Sequence, residues 1–282
     1  MRRRLALVLV YLLLAFFAGL TLTPFAFMLA STLKSKVDFA STLFLPDGTG
    51  WLGVGWDRLT LANYERLFTK LPMARALLNS AFLASVGSIF ATLFSAMGGY
   101  ALSKFEFRGR EALIRLVLGA LIIPAPLLIA PGFQNLWQLG LLDTYAGLIV
   151  PGLAPAFGVF LFRQAMINAV PAELIDAARI DGAGEFRIFF TLVFPLVRPM
   201  VGAFLMITFL GIWNDFLTPQ VVLQSPELYP LSTTLAMLRN LDWNDYGLVL
   251  AGTLVAIAPV MCLFLLLQRE FIAGLTSGAV KG

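Results

Sequence analysis

The chain of 282 residues contains no histidine. It therefore lacks the side chain that most often serves as general base and neutral metal ligand near pH 7. Its single cysteine, Cys262, lies inside an apolar run, so no disulfide can form within the chain and the usual zinc ligands are missing. Charged residues make up only 13% of the sequence, against about 25% in a soluble domain. So few charges cannot cover the water-facing surface of a chain that is 59% hydrophobic, and a membrane protein is the default class. No Gly-x-x-x-x-Gly-Lys-Ser/Thr loop occurs, so the chain is not expected to bind or hydrolyse ATP. Ser85, Ser88 and Ser95 sit in an apolar run without a histidine or a convincing lysine partner, and no catalytic constellation emerges. There is no low-complexity tract and no defensible repeat.

What is present is a set of long apolar runs. Spanning a bilayer core takes about 20 such residues. Six candidates meet this length: Leu5–Ala30, Ala76–Ser103, Leu116–Leu142, Thr144–Phe162, Met200–Val222 and Tyr246–Gln268. The third reads as a span ending near Pro131, followed by an interfacial segment. The first follows Arg2, Arg3 and Arg4, as a secretory signal would. Its apolar stretch is much longer than a signal's 7–15-residue core, so an uncleaved first span is expected.

Lysine and arginine set the orientation. With the N-terminus inside, inner segments hold 13 of the 20 basic residues and outer segments 7. Six of those seven lie in one long outer loop, where the rule is weaker. Both termini are therefore expected in the cytoplasm. The fold class is all-α: a polytopic membrane protein of about six transmembrane helices, organised as one domain over residues 1–282. Its parts are a first span (5–30), an outer loop (31–75), a five-span core (76–269) containing a cytoplasmic loop (167–198), and a tail (270–282). The outer loop, with Pro46, Trp51, Trp56 and several glycines, reads as irregular chain with a short amphipathic helix around Asn63–Phe68.

One segment breaks the apolar pattern. PAELIDAARIDGAGEFRIFFTLVFPLVRP (171–199) carries Glu173, Asp176, Arg179, Asp181, Glu185, Arg187 and Arg198 between two apolar runs. Pro171 suits the first helical position, Glu173 complements the helix dipole, and Gly182 is a stop signal. The spacing predicts a helix over 171–181, with Leu174, Ala177, Ala178 and Ile180 toward one side, then a second helical stretch over 185–193. A helix of about eleven residues is marginal alone in water. Its small-residue face at Ala177, Ala178, Gly182 and Ala183 fits two readings: a docking surface for another protein, or a surface helix lying on the membrane or on its own bundle.

The same segment resembles a known family. In inner-membrane permeases of ATP-binding-cassette importers, a cytoplasmic loop carries Glu-Ala-Ala, three residues, Gly, nine residues, then Ile-x-Leu-Pro. Here the spacing is met by Asp176-Ala177-Ala178, Gly182 and Leu192-Val193-Phe194-Pro195, with Asp, Leu and Phe standing for Glu, Ile and Leu. ALSKFEFRGR (101–110), LGLLDTYAGLI (139–149), FLGIWNDFLTP (209–219) and the tail LLLQREFIAGLTSGAVKG (265–282) are similar to the maltose-type sugar-importer branch. The resemblance implies that the loop is a coupling helix seated in a groove of an ATPase subunit. The contact residues so implied are Glu173, Asp176, Ala177, Ala178, Asp181, Gly182, Ala183 and Pro195. It further implies a sugar carried by alternating access, and a bacterial or archaeal inner-membrane location. The implied partners are a second permease, two copies of an ATP-binding subunit that hold ATP and Mg, and a solute-binding protein outside the cell. Nucleic acid is not among the expected partners. Import of glycerol phosphate or another polyol is the sister reading, and a polytopic membrane enzyme is the reading from a different class.

Asp215 is an ionisable group within a span, and such groups default to function. It reads either as part of a substrate pathway or, beside Trp213, as an interfacial residue. Asn214, Asn79 and Ser80 are further pathway candidates, with hydrogen bonding between helices as the alternative. Lys104, Arg108, Arg110 and Arg115 form a basic turn that orientation explains, with the ATPase or anionic lipid as a second use.

Overall fold

The computed structural model describes residues 2–241 and 245–277. Among these every regular element is a helix, and the β pairing is an isolated bridge between Asp47 and Val54. Four stretches are long and apolar enough to cross a membrane: Ala6–Thr32, Met73–Lys104, Tyr145–Ala169 and Tyr246–Leu266. Two bent pairs bring the number to as many as six.

The helices are less continuous than the apolar runs. Over the third apolar run, α5 (Arg110–Ala120) stops early and α6 (Ile129–Gln138) continues at 105° to it, after a 3-10 turn (Ala125–Leu128). The break falls at Pro124 and Pro126, not near Pro131. Each of those prolines removes an N–H and biases the residue before it away from helix. Pro131 lies in the first turn of α6, where a missing N–H is harmless. In the fourth run α7 (Tyr145–Ile149) gives way at Pro151 and Pro155 before α8 (Ala156–Ala169), which runs past the expected end at Phe162. In the fifth, α12 (Arg198–Asn214) ends at Asp215 and α13 (Leu217–Val222) follows.

The chain divides into two compact units. The first comprises residues 1–74 and 234–259. It holds α1 (Arg2–Thr32), α2 (Lys36–Ser41) and α3 (Ala62–Lys70), the last slightly longer than the helix expected around Asn63–Phe68. Helix α2 was not expected, although Ser35 is an N-cap residue that accepts the Asp38 N–H while its hydroxyl donates to the Asp38 carboxylate. Lys34 is buried; its Nζ donates to the carbonyls of Thr42 and Leu43 at 2.9 and 3.1 Å. Burial pushes its ammonium below the ordinary value, and the Asp38 carboxylate opposes that. Asn63 closes the loop by donating to Thr32 and Lys34 carbonyls at 2.8 and 2.9 Å. Asp245 forms ion pairs with Lys36 and Arg66.

The second unit comprises residues 75–233 and 260–282. Its α4 (Met73–Lys104) and α8 cross at small residues, as membrane helices do when backbones approach closely. A Cβ on Gly99 would lie 2.7 Å from the Arg163 backbone nitrogen, and one on Gly158 would lie 2.3 Å from Ser95 Oγ. Around this crossing Ala96, Tyr100, Phe162, Met166 and Phe204 form a core that extends to Ile175, Ile188 and Val193 of the charged segment.

Candidate functional site

The charged segment folds as α9 (Ala172–Ile180), α10 (Glu185–Ile188), a π turn (Phe189–Val193) and α11 (Phe194–Leu196). Pro171 is the N-cap residue rather than the first helical one, and the second stretch is not a uniform α-helix. Helix α9 ends in a Schellman motif: the Gly182 N–H donates to Arg179 O and the Ala183 N–H to Ala178 O, both at 3.0 Å. Gly182 takes φ +79°, a left-handed conformation that side chains resist, in open space.

The anchor of α9 is a residue that the sequence reading does not single out. Ile175 is 1% exposed and anchors the helix in the core, with Ala178 packed beside it. Burying an isoleucine contributes about 2 kcal/mol, enough to hold a nine-residue helix that would not persist alone. The opposite side is left bare: Leu174, Ala177, Asp181 and Ile180 are exposed, Ile180 at 86%. Phe186 on α10 is 70% exposed. Glu173, Asp176 and Gly182 are also exposed, Ala183 is half-buried, and Pro195 is exposed on α11 just before an 83° bend into α12.

Charges fix this segment to α4. Glu185 accepts from Tyr100 Oη at 2.8 Å and from Arg179 Nε at 2.7 Å. Arg179 also contacts Asp176 at 3.2 Å and lies over the Phe105 ring. Lys104 Nζ donates to the Val170 carbonyl. The bond to Glu185 is the largest influence on the Arg179 guanidinium and holds it above its ordinary value, against the effect of burial. The roles of Tyr100, Arg179 and Glu185 were not foreseen. They are 85 and 6 residues apart, and only the pairing of α4 with the segment brings them together.

A second place of interest is a cavity of about 440 Å³ in the second unit. Ser80, Pro151, Thr208, Asp215 and Thr218 are among its lining residues. Asp215 caps the end of α12; its Oδ1 accepts the Thr218 N–H at 3.2 Å, and its carbonyl accepts from Ser232 at 2.7 Å. Ser80 Oγ accepts the Leu231 N–H at 2.7 Å. Asn79 is engaged otherwise: its amide donates to the carbonyls of Glu227 and Tyr229 and accepts from Tyr145 Oη at 2.7 Å. Asn214 is exposed and bonds its own helix at Leu210 O. Trp213 is buried and stacked on Phe209 rather than anchoring an interface. Thus Ser80 and Asp215 share the cavity, and Asn79 and Asn214 are not among its lining residues.

The LGLLDTYAGLI stretch frames this region. Asp143 accepts the backbone N–H groups of Gln224 and Ser225 at 2.9 Å each and the Ser225 hydroxyl. The Ser225 hydroxyl, then the two N–H groups, hold its carboxyl below the ordinary value. Thr144 caps α7 through the Gly147 N–H, and Tyr145 reaches Asn79.

Comparison with known proteins agrees with this architecture. Residues 88–269 match the family described as binding-protein-dependent transport system inner membrane component. The arabinooligosaccharides transport system permease protein AraQ of Halalkalibacterium halodurans is 42% identical over 79% of this chain and 80% of its own. The lactose transport system permease protein LacG of Rhizobium radiobacter is 32% identical over 100% and 98%. A chain from the crystal structure of a bacterial ABC transporter that imports the acidic polysaccharide alginate superposes with TM-score 0.77 at 24% identity, over 95% of this chain and 97% of that one, which is a likeness of fold.

Proposed function

This chain belongs to the family of binding-protein-dependent transport system inner membrane components, and on that premise we propose that the solute it helps to import is a carbohydrate. It is a membrane-embedded transport component rather than an enzyme. AraQ, at 42% identity, supports a sugar over the glycerol phosphate for which a 32% identical relative is named.

In this reading α9 is the coupling helix. Ile175 roots it in the bundle, while Leu174, Ala177 and Ile180 offer an apolar face to a groove on an ATP-binding subunit. The exposed Ile180 is the observation that carries the assignment, because an apolar side chain at 86% exposure on a charged segment gains by being covered. Glu173, Asp176, Asp181 and Gly182 rim that face. Two copies of the ATPase bind ATP and Mg, and this chain binds neither. The second permease completes the pathway, and a solute-binding protein delivers the sugar from outside. Both termini and α9 lie in the cytoplasm, following the basic residues. Closure of the ATPases moves α9, and Glu185 passes the movement to α4 through Tyr100.

Reconstitution tests this reading. The complex in proteoliposomes is expected to hydrolyse ATP faster with loaded binding protein and to accumulate labelled oligosaccharide. Chemical turnover of a substrate by this chain alone, without uptake, would refute it.

A further inference from the structure

The cavity lies where three helix interruptions meet. Ala125 comes from the break between α5 and α6, Pro151 from that between α7 and α8, and Asp215 from that between α12 and α13, with Thr218 in the first turn of α13. Backbone released from a helix cannot face lipid; at membrane depth it persists where protein buries it or where it lines a water-filled cavity. Three breaks around one hollow mark a chamber with a few polar side chains in a mostly apolar lining, and interrupted helices are a recurring way of building solute sites in transporters. Its volume of about 440 Å³ falls within the 300–1,000 Å³ usual for small-molecule sites.

The lining has one sign of charge. Among the described residues Asp215 is its only ionisable side chain, and no lysine or arginine contributes. One carboxylate oxygen takes the Thr218 N–H, and among the described residues no cation is paired with the group. The remaining polar lining consists of hydroxyls from Ser80, Thr208 and Thr218 among apolar residues.

We propose that this cavity is a subsite for neutral, hydroxyl-rich ligands and that the Asp215 carboxylate makes it reject anionic ones. The inference rests on the permease reading and adds a charge class to it. A carboxylate only accepts hydrogen bonds, which suits the hydroxyls of a sugar. A uronate or phosphate entering the chamber meets a like charge with no compensating cation, and salt screens charges in such a recess poorly. The distinction matters because AraQ and LacG are named for neutral sugars, whereas another relative is named for sn-glycerol-3-phosphate and the structural neighbour imports an acidic polysaccharide.

The test places a cysteine in the chamber, Thr218→Cys, with Cys262 replaced by alanine, in the assembled complex. Modification rates are measured with cationic trimethylammonium-ethyl and anionic sulfonatoethyl methanethiosulfonates, each normalised to a free thiol. The cation is expected to react about tenfold faster, and Asp215→Asn, which keeps an acceptor for the Thr218 N–H, is expected to bring the ratio toward one. Glucose is expected to slow modification at least about twofold more than glucuronate, and the two are expected to act equally in the Asp215→Asn background. Thr208→Cys repeats the measurement should Thr218→Cys disturb assembly. Equal normalised rates for both reagents with Asp215 present, or no modification at either position, would overturn the proposal. Failure of the permease reading looks different: no ATP-driven uptake of any oligosaccharide, whatever the modification pattern.

Discussion

The Tyr100–Glu185 bond offers the sharpest energetic test of the joint between α4 and the charged segment that carries α9 and α10. Tyr100 is 5% exposed, so removing Glu185 strands its hydroxyl where water replaces the partner poorly. A hydrogen bond to a charged acceptor contributes about 1.5–3 kcal/mol. The Arg179–Glu185 pair is more than a third exposed on both sides and adds less than about 1 kcal/mol. Glu185→Ala should therefore cost about 2 kcal/mol of local stability, Tyr100→Phe about 1–1.5, and the double variant little more than Glu185→Ala alone. The cycle then yields a coupling energy of at least about 1 kcal/mol, well outside the 0.3–0.5 kcal/mol of independent sites. Amide hydrogen exchange over 172–188 in the assembled complex reads the local term, and sugar transported per ATP hydrolysed reads its consequence. Both single variants should hydrolyse more ATP per sugar moved. Additive effects within about 0.3 kcal/mol, or an unchanged transport ratio, would refute a joint at this bond.

Other perturbations follow from the same geometry. Gly182→Ala meets only the left-handed φ and should cost about 1 kcal/mol in α9 with assembly retained, whereas Gly182→Asp adds bulk and charge at the proposed contact and should abolish co-purification of the ATPase. Gly99→Ala forces α4 against the α8 backbone and should destabilise the folded chain by about 1–3 kcal/mol in thermal unfolding. Asp245 shows a pH effect: burial opposes its charge, but Lys36, Arg66 and the Leu248 N–H outweigh it and hold the carboxyl below its ordinary value. A lowered folded-state value means that its stabilisation is complete above the unfolded value of about 3.9 and is lost as pH falls through the folded one. Wild type should therefore exceed Asp245→Asn in melting temperature by a constant margin near neutrality, and the margin should shrink in acid.

Much of this was legible in the chain. Hydropathy marked the membrane class and the runs, because charge-free stretches of that length have few other uses. Pro171, Gly182 and the Asp176-Ala177-Ala178 spacing located α9 to within a residue at each end. Hydropathy could not show that three of the runs are interrupted, since it is blind to backbone. Pro124, Pro126, Pro151 and Pro155 carried that signal, but prolines inside membrane helices are common enough that only packing decides which ones break. The anchor of α9 is not readable for a related reason. Ile175, Leu174 and Ile180 are all apolar, and only Phe189, Val193 and Met166 around the anchor select Ile175. Asp215 was found as an intramembrane charge, but its place at a helix end beside two other breaks depends on contacts distant in sequence.

The most direct measurement is cross-linking from α9 in the assembled transporter. With Cys262 removed, Asp181→Cys carrying a short photoactivatable label should attach to the ATP-binding subunit, with a yield that changes between nucleotide-free and ATP-bound states. Adducts confined to lipid or to this same polypeptide in both states would contradict the account.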